Sequence, residues 1–125
     1  MGIQRLKPVS SGTDFDKYTP KTSVNNSNST SWSPTLIVSG KGILIGVAQR
    51  MRSGYTDSHI RINIDGVVVF DSSVTDIPFT RLSKYDNGNS IPFMHPFKNS
   101  LVVEHKLSSG DGSDAVNTIV SYLLE

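Results

Sequence analysis

Few residues in this chain are of a type and spacing to do chemistry. The three histidines, His59, His95 and His105, never fall at the i, i+2 or i, i+4 spacing that turns two imidazoles toward one metal ion. They are expected in structural or surface roles, and no metal site is expected. There are two glutamates, Glu104 and Glu125, and most aspartates sit among Gly, Ser and Asn in turn-like segments. A carboxyl pair at the fixed separation of a glycosidase is therefore not on offer. Serine is plentiful, but no Gly-x-Ser-x-Gly elbow occurs. Gly40-Lys41-Gly42 is too short for a phosphate loop and lacks its following Lys-Ser/Thr. Cysteine is absent, which removes disulfides, thiolate metal sites and thiol catalysis. Asp111-Gly112-Ser113-Asp114 and Asp86-Asn87-Gly88-Asn89 carry oxygen ligands, but neither matches a calcium loop, and turns use the same residues. The expectation is a protein that is not an enzyme and holds no cofactor.

Aromatic side chains offer a second kind of chemistry, stacking on sugar rings. Trp32, Tyr55 and Tyr85 occupy loop-like positions and form the one reasonable set for a glycan contact. The alternative is that they anchor loops onto the body or pack at a subunit contact.

The elements that must position these residues read as strands. The 125 residues are 36% apolar and 18% charged, with Ser, Thr, Asn and Gly making up the balance. Such a composition suits a turn-rich β-protein better than a helical bundle, and the length suits one domain with a core of its own. His59 to Ile64 alternates strictly, with Ile60, Ile62 and Ile64 on one side and His59, Arg61 and Asn63 on the other. Asp65-Gly66 then supplies the two φ > 0 residues of a type I′ turn, and Val67 to Phe70 returns. Thr35 to Ser39 is a short apolar run. Ile43 to Arg52 is apolar on both faces in its first half, as in a central strand, and alternates in its second; Gly46 marks a bulge or a close approach. Ile77-Pro78-Phe79 and Ile91-Pro92-Phe93-Met94 suit edge strands, since proline excludes a central place. Ser100 to Leu107 and Val116 to Leu124 close the chain. No window repeats apolar residues at helical spacing. About seven or eight short strands without helices predict an all-β fold, a two-sheet antiparallel β-sandwich or jelly roll.

Residues 1–34 differ from the rest. Their large apolar residues stand singly among polar ones, and Asn25 to Ser31 is low in complexity and turn-prone. The division predicted is an extended N-terminal arm, 1–34, and a β-sandwich domain, 35–125. Ile3, Leu6, Phe15, Tyr18 and Trp32 would be the arm's docking side chains, on this domain or on a neighbouring subunit. No stretch approaches the ~20 apolar residues of a membrane span. The first eight residues lack an apolar signal core, so synthesis without export is expected. The net charge of +1 excludes a general nucleic-acid polyelectrolyte. Its distribution is uneven: residues 1–61 hold 8 basic and 3 acidic side chains, and residues 62–125 hold 4 and 8. Either copies associate, basic against acidic, or the asymmetry cancels within one subunit.

The run Leu36-Ile37-Val38-Ser39-Gly40-Lys41-Gly42-Ile43-Leu44-Ile45-Gly46, followed by Ile60-x-Ile62-x-Ile64-Asp65-Gly66-Val67, resembles small structural virion proteins of tailed bacteriophages, of the tail, fibre or capsid-decoration type. Phe97-x-x-Ser100-Leu101-x-Val103, Val120-x-Tyr122 and the opening Ile3-Gln4-Arg5 are similar to the same group. The resemblance spans about residues 35–124 and rests on turns and core positions, so it transfers no catalytic or ligand residue. It implies a jelly-roll-like structural subunit located in the virion. Such a subunit would form a homo-oligomer and contact other virion proteins. A host-surface glycan is the possible further ligand; nucleic acid and membrane insertion are not implied.

Overall fold

A computed structural model describes residues 15–53, 57–73, 80–81, 89–108 and 115–125. Among the described residues a short 3₁₀ turn, Phe15–Lys17, precedes nine strands: β1 (Thr19–Ser27), β2 (Ser33–Ser39), β3 (Gly42–Ser53), β4 (Asp57–Ile64), β5 (Val67–Asp71), β6 (Thr80–Arg81), β7 (Asn89–Phe97), β8 (Ser100–Leu107) and β9 (Ala115–Leu124). One sheet has the order β1-β9-β3-β7; the other has the order β2-β8-β4-β5, with β6 beside β4. All pairs are antiparallel. The partners nest, β1 with β9, β2 with β8, β3 with β7 and β4 with β5. A long hairpin rolled over itself into two sheets is a jelly roll, so the predicted all-β sandwich is the fold.

Local sequence explains most of these strands. In β8, Leu101, Val103, His105 and Leu107 are buried and the residues between them are not. In β4, Ile60, Ile62 and Ile64 enter the core as the alternation requires. Asp65 and Gly66 have φ of 53° and 89°, the signature of the expected type I′ turn. The Asp65 carboxylate also accepts the backbone N–H groups of Lys98, Asn99 and Ser100. These bonds hold it below the usual carboxylate range and fasten the β4–β5 turn to the β7–β8 turn. Both β3 ladders shift register between Leu44 and Gly46, the bulge that Gly46 announced. Strand β7 carries Pro92 and Pro96 and lies at a sheet edge, as proline demands.

The predicted arm boundary at residue 34 is corrected by the strand pairing. Thr19 to Ser27 pairs with Leu124 to Val116 in an unbroken register, so the sandwich begins at Thr19 and not at residue 35. The signal was absent because β1 turns Ser23, Asn25 and Ser27 inward and leaves its one large aliphatic residue, Val24, 64% exposed. An edge strand of this kind is held by ladder hydrogen bonds more than by apolar burial. The charge asymmetry also has an internal outlet. The described ion pairs Lys17–Glu125, Lys41–Glu125 and Arg61–Glu104 each join a base of the first half to an acid of the second.

The core has a main cluster, including Leu44, Val47, Ile60, Ile62, Phe97, Leu101, Val103 and Val120, and a small one of Leu107 with Val116. Polar side chains lie one row in from that small cluster. Thr35 Oγ1 is 2.9 Å from His105 Nδ1, and Gln49 Nε2 donates to Thr118 Oγ1 at 2.9 Å. His105 precedes Leu107 by two residues and Thr118 follows Val116 by two, so both pairs occupy the same end of the sandwich.

Candidate assembly surface

The three histidines are not brought together. His105 faces inward, as its alternation with Leu101 and Val103 predicts. His59 points to the opposite side of β4 and is nevertheless buried, with Nδ1 3.1 Å from Ser72 Oγ. His95 Nδ1 lies 3.0 Å from the carbonyl oxygen of its neighbour Pro96. Among the described residues no cluster of three metal-ligating side chains occurs. The turn segments at 86–88 and 111–114 lie outside the described residues.

Burial pushes the His105 imidazole below its ordinary value near 6.5. Among the described residues its hydrogen-bond partner is Thr35 from β2 and its neighbour on β4 is Ile60, neither of them charged. The unfolded chain therefore takes up this proton before the folded one does. Stability is full above about pH 6.5 and falls as the pH drops toward the folded value. Urea midpoints at about pH 7 and pH 5 are expected to show this loss, and His105→Gln is expected to lessen it.

The aromatic set expected to contact glycan is only partly described. Tyr55 and Tyr85 lie outside the described residues. Trp32 is half-buried above the outer face of the β2-β8-β4 sheet, where the Arg61 guanidinium is 4.3 Å and the Lys106 ammonium 4.9 Å from its ring centre. Arg61 in turn binds Glu104 at 2.9 Å. The register explains this arrangement: Ser33 pairs with His105, which sets Trp32 beside Lys106. Cation–π contacts of this kind anchor a loop onto a sheet. Of the docking residues expected in the arm, Ile3 and Leu6 lie outside the described residues, and so does the side chain of Phe15. Tyr18 is half-buried, with the Lys17 ammonium 5.8 Å from its ring centre.

The outer face of the other sheet is different. Val24 of β1 pairs with Ile119 of β9, Ile119 with Ala48 of β3, and Ala48 with Ser90 of β7. One row further along, Thr22, Ser121, Gly46 and Pro92 align; beyond the bulged Ile45 stand Pro20, Leu123, Ile43 and Pro96. Ile43 is buried yet belongs to neither core cluster, as its place on this face requires. Met94 rises from β7 with 65% of its surface exposed. Gly46, Ala48, Ser90 and Ser121 are small, and Ile45, Pro92 and Ile119 stand around them, so the face sinks into a shallow groove of ≈ 400 Å³. An antiparallel sheet that faces water alternates apolar inside with polar outside; this one is apolar on both sides along β3. The sequence shows that doubling at Ile43-Leu44-Ile45, where it reads as a central strand. The strand is central in its sheet, but no third layer of the described chain covers its outer side.

No helix of the described residues is long and apolar enough to cross a membrane. No known family's sequence profile matches the chain, and no curated protein matches it. Among solved structures, one of infectious bursal disease virus, Gt strain, aligns with 100% of this chain and 38% of the other, at 12% identity and a TM-score of 0.38. Dimeric latent PorU from Porphyromonas gingivalis aligns over 86% and 13%, at 14% identity and a TM-score of 0.32. The chain thus spans well under half the length of either, and likeness at this level carries no functional statement.

Proposed function

We propose that this chain is a non-enzymatic structural subunit of a virion, of the kind its resemblance to small tailed-phage proteins implies, and that it works by associating with copies of itself and with other virion proteins. The observation that carries this reading is the apolar outer face of the β1-β9-β3-β7 sheet, over which the described residues place no third layer. Burying apolar surface is the main source of association free energy, and this face offers exposed Val24 and Met94 around partly exposed Ile45, Ala48, Ile119 and Leu123, the make-up of an interaction site. Fold adds a weaker, associational support, because jelly rolls recur in capsid and lectin domains. The glycan-binding alternative rests, among the described residues, on Trp32 alone, whose ring already carries two cations.

Ile119 lies at the middle of the face, between Val24 and Ala48. Ile119→Lys is expected to weaken self-association by tenfold or more, about 1.4 kcal/mol, with the circular dichroism spectrum unchanged. Light scattering across a concentration series checks it. A wild-type chain that stays monomeric throughout, or a variant that associates as well as the wild type, refutes this use of the face.

A further inference from the structure

The apolar face carries both a recess and a projection. The recess is the ≈ 400 Å³ groove floored by Gly46 and Ala48 between β3, β7 and β9. The projection is Met94, 65% exposed, on β7 just beyond the groove's rim at Pro92. A recess and a projection side by side on one face are the geometry of a two-fold contact, in which each copy inserts its projection into the other's recess.

We infer that two copies pack face to face through the β1-β9-β3-β7 sheets, with Met94 of each seated in the groove of the other. This inference rests on the self-association proposed above and names its geometry. The chemistry of the face selects a second copy as its occupant. The outer-facing positions of its rows from Ile43 to Ala48 carry no charge; Arg50 stands at one end, and at the other Lys41 is already paired with Glu125. A nucleic acid or an acidic peptide would find almost nothing to pair with, whereas another apolar face of the same kind fits. Methionine suits such a recess, because its unbranched thioether fills irregular gaps. The area is also sufficient. Four strands about 4.8 Å apart, each presenting about eight residues at about 3.3 Å, span about 500 Å² per copy. The pair buries about 1,000 Å², the lower bound of a specific interface. Twisted sheets packed in this way lie about 10 Å apart, with their strands near 30° to one another.

The absence of cysteine from the chain gives a clean test. Full-length Met94→Cys and Ala48→Cys variants, carrying different tags, are mixed and oxidised. The expected product is a mixed disulfide dimer on a non-reducing gel, in larger yield than from Met94→Cys mixed with Ile37→Cys, whose site lies on the other sheet. Ala48→Leu, which fills the recess, is expected to weaken association tenfold or more in light scattering while the thermal midpoint is kept. If the wild type associates but the Met94–Ala48 pair cross-links no better than the control, the face-to-face geometry is wrong and the assembly reading survives. A wild type that is monomeric at every concentration overturns both.

Discussion

Gly42→Ala is expected to lower folding stability by about 1–3 kcal/mol or more, a large part of the about 5–15 kcal/mol that holds a domain together. A β-carbon there would run into the backbone carbonyl oxygen of Leu123 and come within 2.6 Å of Phe97 Cζ. Neither obstacle yields easily. The carbonyl belongs to β9, and Phe97 is 1% exposed and packed into the main cluster. Gly42 pairs with Phe97 on one side and Leu124 on the other, so three strands must part to admit one methyl group. Urea unfolding measures the loss. Because β3 and β9 are the inner strands of the apolar face, the same variant is expected to associate more weakly. A midpoint within error of the wild type would show that the strands part more easily than their packing indicates.

Truncation at two points is expected to give opposite results. Removing residues 1–14 leaves every described strand pair in place, and the far-ultraviolet spectrum and urea midpoint should be retained. Removing residues 1–27 deletes β1, leaves β9 paired on its β3 side alone from Val116 to Leu124, and takes Lys17 away from Glu125. The expected loss is on the order of the whole folding free energy. The product should aggregate, since a long bare edge containing Val120, Tyr122 and Leu124 is a template for strand pairing. A soluble, folded 28–125 fragment would show that β1 is dispensable. The shorter truncation also separates the two sources of association. If Ile3 and Leu6 supply the contacts, the 15–125 chain is monomeric; if the sheet face supplies them, it still associates.

Much of the fold is legible in the sequence because much of it is local. The alternation of Ile60, Ile62 and Ile64, the φ > 0 pair Asp65-Gly66 and the proline-marked edge at Pro92 each act within a few residues, and each stands in the structure as read. Strand β1 was not legible. Its inward positions are Ser23, Asn25 and Ser27, and period-two hydrophobicity cannot report a strand whose apolar residue points out. The burial of His59 was missed for a related reason: alternation assigns a side chain to a face but does not say that Ser72 will cover it.

The assembly face shows the same division. By itself the sequence determined that the protein is all-β, that β4 and β5 form a hairpin, and that Ile43-Leu44-Ile45 is apolar on both faces. Only the tertiary structure decided that β1 pairs with β9, β2 with β8 and β3 with β7. Those partners lie far apart in the chain, and their registers are set by which faces are buried together, not by any turn between them. The same pairing brings Val24, Ile119, Ala48 and Ser90 into line across four strands. Once two layers are closed, no third layer of the described residues covers the second apolar side of β3, and a pattern that reads in one dimension as a buried strand becomes in three dimensions an outer face.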